Sequence, residues 1–78
     1  MKGTVPAILV VEDDEGLRSQ YRWLLSDVTV LEAGDRRSAL EIALRERPGI
    51  AIVDLGLPPD PDGASEGLAV VSELIEAN

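Results

Sequence analysis

Three short apolar runs, each followed by a segment with helical periodicity, organise the chain. The runs are Ala7–Val11, Val28–Leu31 and Ile50–Val53. Continuous apolar runs rich in β-branched residues are typical of strands buried on both faces of a parallel sheet. The alternation predicts an α/β fold with the order βαβαβα and right-handed crossovers.

Each predicted helix carries an apolar stripe at helical spacing. Asp13 or Asp14 is the expected N-cap of the first helix, Asp35 that of a second helix from Arg36 to about Arg45, and Ser65 that of the third. We expect Trp23 to pack partly on the sheet edge, and Arg36 to mark a solvated helix start. The stripes are Leu17, Tyr21, Leu24 and Leu25 in the first helix, Ala39, Leu40, Ala43 and Leu44 in the second, and Leu68, Val71, Leu74 and Ile75 in the third.

Carboxylates follow two of the three predicted strands. Glu12, Asp13 and Asp14 come directly after the first, and Asp54 directly after the third. Ligands of parallel α/β sheets bind beyond the carboxyl ends of the strands, so neighbouring strands would bring these acids together. Like charges at close range repel, and a hard divalent cation relieves that repulsion. The alternative for Glu12-Asp13-Asp14 alone is a helix start with acids that favour the helix dipole.

Composition narrows the function classes. The chain of 78 residues suits a single domain or a piece of one, and its net charge of −8 and pI near 4.2 argue against unaided binding to nucleic acid or an anionic membrane. It contains no histidine and no cysteine, which excludes histidine-based catalysis, disulfides and cysteine-ligated metals and is compatible with the cytosol. No apolar stretch approaches membrane-spanning length.

Two segments resemble the motifs of a response-regulator receiver domain. Ile8–Asp14 followed by Leu17-Arg18 resembles the opening of that family, and Ile52–Pro58 resembles its phosphoacceptor segment. The resemblance implies that Asp54 accepts a phosphoryl group from a partner histidine kinase. It also implies that Glu12 and Asp13 hold Mg²⁺ together with Asp54.

The resemblance extends to Gly56, whose backbone carbonyl would complete the Mg²⁺ site. It implies a flavodoxin-like three-layer fold with parallel strand order 2-1-3, and a cytoplasmic, non-enzymatic signalling module upstream of a transcriptional output. Residues 1–78 would form a partial receiver, three of the family's five βα units. The missing units carry the Ser or Thr and the lysine that contact the phosphoryl group, and the chain's single lysine, Lys2, is in the wrong place.

The loop Pro59–Ser65 departs from most receivers, in which an acidic or polar residue, a glycine and a large aliphatic residue soon follow the Leu-Pro turn. Here Glu66-Gly67-Leu68 best matches that triplet. The long loop resembles receivers at the front of alternative-sigma-factor-dependent activators associated with exopolysaccharide and protein-sorting loci. Asp60 and Asp62 are too few for a calcium loop, so a solvated turn is expected.

Two other functions compete with the signalling module. A small Mg²⁺-dependent phosphohydrolase with an aspartyl nucleophile needs a second acid two residues after the nucleophile, where Gly56 stands. A protein-interaction module that is never phosphorylated is the other alternative. With the strand order 2-1-3, whatever the function, Ile50–Val53 would form a sheet edge without charge or proline, so self-association through the third strand or third helix is expected.

Overall fold

The computed structural model describes residues 7–60 and 63–77, which form a parallel sheet of three strands with three helices. The strand order is β2-β1-β3. The βαβαβα order and the strand order both confirm the predicted α/β fold. Two residues discussed above, Lys2 and Asp62, lie outside the described residues. The elements are β1 (Ala7–Val11), α1 (Glu15–Leu24), β2 (Thr29–Ala33), α2 (Arg36–Glu46), β3 (Ile50–Val53) and α3 (Ser65–Ala77).

The main core lies between the sheet and the pair α2 and α3. Because side chains alternate across a strand, Leu9 and Val11 of β1 face this core, and both are fully buried. Glu32, which is opposite Val10 in the register, forms ion pairs with Arg18 and Arg22 of α1, so α1 lies on the other face of the sheet. The buried cluster consists of Leu9, Val11, Ala33, Ala39, Leu57 and Val70.

The second strand differs from its predicted range of 28–31. It spans Thr29–Ala33, because Glu32 stays in the strand by pairing with two arginines of α1 and Ala33 is buried beside Val11. A charged residue therefore does not end this strand. Arg18 and Arg22 of α1 neutralise the Glu32 carboxylate, so Glu32 can remain in the strand.

The first helix is less covered than its stripe predicts. None of its residues is buried, and Leu24 is 70% exposed. Trp23 is 81% exposed, so the expectation that it packs on the sheet edge is wrong. Within the described residues, no other element covers the side of α1 that carries these two side chains.

The prediction of which residues of α3 face the core is also partly wrong. Leu68 and Ile75 are exposed, and Gly67 and Val70 are the buried residues of this helix. The helix is rotated toward Gly67 because the absence of a side chain there lets its first turn lie against the chain after β3. Leu74 remains on the packed side, as predicted.

Polar contacts fix the ends of α2 and α3. Asp35 is the N-cap of α2 and accepts a hydrogen bond from the Ser38 N–H at 2.8 Å, as predicted. Ser65 is the first residue of α3 rather than its cap, and its hydroxyl donates to Asp60 Oδ2 at 2.7 Å. Arg36 does not simply mark a solvated start, since it donates to both carboxylate oxygens of Glu73 and thereby ties α2 to α3. No helix in the described ranges is both long and apolar enough to cross a membrane.

Candidate metal centre

The parallel pairing of β1 with β3 places Glu12 and Asp54 at adjacent positions at one end of the sheet. Val11 and Val53 are register partners in the β1–β3 pair. One residue farther, the Asp54 N–H donates to the Val11 carbonyl at 2.8 Å, and the Glu12 N–H donates to the Ala33 carbonyl at 2.9 Å. Both acids therefore start from backbone that is still part of the sheet.

Three of the predicted site residues come together there. Glu12, Asp13 and Asp54 each offer a carboxylate oxygen, and these oxygens all lie within 4.8 Å of one another. Glu12 is buried, Asp54 is half-buried and Asp13 is exposed. Opposite ligands of an octahedral Mg²⁺ ion are about 4.2 Å apart, because each Mg–O bond is about 2.1 Å long. The oxygen-only donor set and its spacing both suit one such ion.

The fourth acid, Asp14, has a different role. It is the N-cap of α1, and its Oδ1 accepts a hydrogen bond from the Leu17 N–H at 3.2 Å. The open choice between Asp13 and Asp14 as the cap is thereby decided in favour of Asp14. Its own N–H donates to Glu12 Oε2 at 3.2 Å, so the cap also helps to hold the buried glutamate.

The electrostatics of the cluster work against its charged state when no cation is present. Burial raises the pKa of Glu12, and the neighbouring Asp54 and Asp13 carboxyls raise that pKa further, whereas the hydrogen bond from the Asp14 N–H lowers it. Removing water from a carboxylate is costly unless a positive charge replaces it. The site thus favours either a proton or a cation.

The chain after Asp54 is firmly anchored. The Gly56 N–H donates to Asp54 Oδ1 at 3.0 Å, and Leu57 is fully buried in the core. The role predicted for the Gly56 carbonyl, as a fourth metal ligand, stays a prediction. One oxygen of Asp54 is thus fixed by the backbone.

The sequence reasoning missed two residues that support this site. A Cβ atom added to Gly67 would lie 2.8 Å from the Asp54 carbonyl oxygen and would overlap the Leu55 backbone. The glycine in Glu66-Gly67-Leu68 was the available signal, but its contact is visible only once α3 is docked. Arg18, named above only as part of the opening motif, donates to the Glu12 carbonyl at 2.6 Å.

Comparisons with models of known families, with curated proteins and with solved structures found no match for this chain. The functional assignment of the site therefore rests on its geometry and its chemistry.

Proposed function

We propose that this chain is a phosphoacceptor module of the receiver type, in which Asp54 takes a phosphoryl group from a histidine kinase with the help of Mg²⁺. The observation that carries the proposal is the convergence of Glu12, Asp13 and Asp54 at the ends of β1 and β3. The parallel strand order 2-1-3 agrees with the topology that the receiver motifs imply.

The chemistry needs one nucleophilic carboxylate in a fixed position. The Gly56 N–H holds Asp54 Oδ1, which leaves Oδ2 to attack phosphorus. An O–P bond forms as the P–N bond of the donor phosphohistidine breaks, and the imidazole nitrogen keeps the electron pair. Such a transfer depends mainly on positioning and on neutralising charge.

The second requirement is that negative charge at the site be neutralised, and the pair Glu12 and Asp13 would meet it by binding Mg²⁺. A carboxylate that attacks a phosphoryl anion meets strong repulsion, and Glu12 and Asp13 add two more negative groups. Mg²⁺ held by Glu12, Asp13, Asp54 and the Gly56 carbonyl would neutralise that charge. Three carboxylates without a cation would instead hinder the approach of any phosphoryl donor.

The proposal includes a transcriptional output and a place in the cytoplasm, with which the absence of cysteine agrees. Phosphoryl uptake by residues 1–78 is expected to be slow, because no Ser, Thr or lysine is matched to the family's phosphate-contacting positions. A phosphohydrolase is disfavoured, since that class carries its second acid two residues after the nucleophile, and Gly56 stands there in this chain.

Treatment with acetyl phosphate, followed by intact-mass measurement, tests the proposal. We expect the mass of one phosphoryl group to be gained only in the presence of Mg²⁺. Asp54→Asn should abolish this gain. Asp27→Asn makes the same chemical change at an exposed turn before β2, at the other end of the sheet, and should leave it intact.

Each contrary outcome identifies what is wrong. A gain that survives Asp54→Asn would place the acceptor elsewhere. Continuous release of phosphate with Mg²⁺ would indicate the phosphohydrolase. Binding of neither Mg²⁺ nor an aspartyl-phosphate mimic such as beryllium fluoride would favour the interaction module that is never phosphorylated.

A further inference from the structure

Arg18 contacts the backbone of the acidic cluster and joins three segments of the chain. Its Nη1 donates to the Glu12 backbone carbonyl at 2.6 Å. Its Nη2 lies 3.4 Å from Glu15 of α1, and its Nε lies 3.4 Å from Glu32 of β2. Only a fifth of the side chain is exposed, so solvent screens these contacts less than those of a surface arginine.

The contact with the carbonyl bears directly on the metal ligands. The carbonyl of Glu12 and the N–H of Asp13 belong to one planar peptide group, so fixing the carbonyl also fixes the direction in which Asp13 leaves the strand. The Glu12 N–H already donates to the Ala33 carbonyl, and the Glu12 side chain accepts a hydrogen bond from the Asp14 N–H. Arg18 thus completes the restraint of the segment that carries both acids.

We propose that Arg18 is a positioning residue, which sets the divalent-cation affinity of the Glu12, Asp13 and Asp54 cluster through its hydrogen bond to the Glu12 carbonyl. This inference rests on the proposed function of the cluster as a Mg²⁺ site. Outer groups that orient metal ligands typically change metal affinity by about 10–100-fold when they are removed.

Electrostatics alone predicts the opposite sign. An arginine close to a cation site repels the cation, so removing its charge would tighten Mg²⁺ binding. Glu15 and Glu32 already neutralise much of this charge, which makes the repulsion small. A loss of affinity on removing Arg18 therefore reports positioning rather than charge.

Arg22 provides a matched control. It pairs with the same two glutamates, Glu15 and Glu32, and makes no hydrogen bond to the Glu12 carbonyl. Arg18→Gln and Arg22→Gln remove the same charge from the same network. Only the first removes the restraint on the metal-ligand segment.

Gly34 offers a second variant that leaves every charge in place. A Cβ atom at this position would lie 3.0 Å from Arg18 Nη1, at the flexible end of that side chain. Gly34→Ala would therefore displace the guanidinium group without a backbone clash. It keeps the inference testable if Arg18→Gln fails to fold.

Calorimetric titration with MgCl₂ is the experiment, with thermal melts of the metal-free proteins beside it. We expect Arg18→Gln to weaken binding by about tenfold and Gly34→Ala to weaken it less. Arg18→Lys, which can still donate to the carbonyl, should recover part of the loss. Arg22→Gln should bind as the unchanged protein does or slightly more tightly, whatever the change in its metal-free melt.

Two results would overturn the inference. If the unchanged protein binds Mg²⁺ and Arg18→Gln binds it as tightly as Arg22→Gln does, the role of Arg18 is wrong and the metal site stands. If the unchanged protein binds no Mg²⁺, the metal site itself is wrong, and the role of Arg18 falls with it.

Discussion

Glu12 and Asp54 directly follow the register partners Val11 and Val53, so two carboxylates extend side by side from adjacent parallel strands. The Asp54 N–H is bonded to the Val11 carbonyl, which makes this pairing part of the sheet rather than a property of a loop. Glu12 is only 8% exposed. The sheet thus holds in place a pair of like charges that are unfavourable unless a proton or a cation joins them.

Replacing the buried charge should stabilise the metal-free protein and remove its response to the metal. Glu12→Gln keeps an oxygen that accepts from the Asp14 N–H and removes the repulsion from Asp13 and Asp54. We expect Tm without Mg²⁺ to rise by a few degrees. We also expect MgCl₂ to raise the Tm of the unchanged protein, and this rise should be much smaller in Glu12→Gln.

Glu41→Gln is the control for this change, because Glu41 is exposed and its ion pair with Arg37 is long, at 3.9 Å. Exposed pairs of this kind contribute little to stability. Melts of both variants with and without MgCl₂ test the prediction. A metal-free Tm for Glu12→Gln below that of the unchanged protein would contradict it.

Gly67 should tolerate no side chain. In a helix interior, alanine is more favourable than glycine by about 1 kcal/mol of folding free energy. Its Cβ atom, however, would press on the Asp54 carbonyl and the Leu55 backbone, which cannot rotate away as a side chain can. Overpacking of this kind costs about 1–3 kcal/mol. We expect Gly67→Ala to lower the free energy of unfolding, as measured with urea, and to weaken Mg²⁺ binding.

Gly49→Ala is the matched control, since a Cβ atom there meets nothing within 4 Å. It should leave stability unchanged or raise it by about 0.4–1 kcal/mol through the unfolded state. Equal stability of the two variants would show that α3 does not lie against the backbone of Asp54 and Leu55.

The sequence and the structure agree where local chemistry decides. Apolar runs mark β1 and β3, Asp35 caps α2, and the order of the elements places Glu12 and Asp54 at one sheet end. They disagree where packing decides. Glu32 belongs to β2 because arginines from α1 reach it, and α3 is rotated because Gly67 removes a side chain. Neither contact is encoded in the periodicity of its own element.

The cap of α2 should give a pH-dependent contribution to stability. Hydrogen bonds from the N–H and hydroxyl of Ser38 lower the pKa of Asp35. The contribution is therefore fully present above the ordinary pKa of an aspartate and is lost as the pH falls through the lowered value. Asp35→Ala should cost about 1 kcal/mol at neutral pH.

Asp35→Asn separates the cap from its charge, because an asparagine oxygen also accepts the Ser38 N–H. Urea unfolding at pH 7 and again at strongly acidic pH tests this. The advantage of the unchanged protein over Asp35→Asn should shrink as the solution becomes more acidic. An advantage that grows toward acidic pH would contradict the cap assignment.

The outer edge of β3 should drive self-association. Among the described residues no strand pairs with β3 on the side away from β1, and Ile50 on this edge is 53% exposed. The strand carries no charge or proline to protect it. We expect sedimentation at increasing concentration to show a dimer, which Ile50→Lys should return to a monomer.

Leu24→Lys adds the same charge at a leucine of α1 that is also exposed and lies away from the β3 edge, and it should leave the dimer intact. If Leu24→Lys loses the dimer and Ile50→Lys keeps it, the contact between the two copies lies on α1. A concentration-independent monomer of the unchanged protein would show that the β3 edge does not associate.

The central claim is that Asp54 accepts the phosphoryl group, and borohydride reduction tests it most directly. Reduction converts an aspartyl phosphate to homoserine, which tandem mass spectrometry locates in the chain. After incubation with acetyl phosphate and MgCl₂, we predict homoserine at position 54 and none at positions 13, 14 or 60. Homoserine at another aspartate, or none at all in a sample that has gained the mass of a phosphoryl group, would contradict the account.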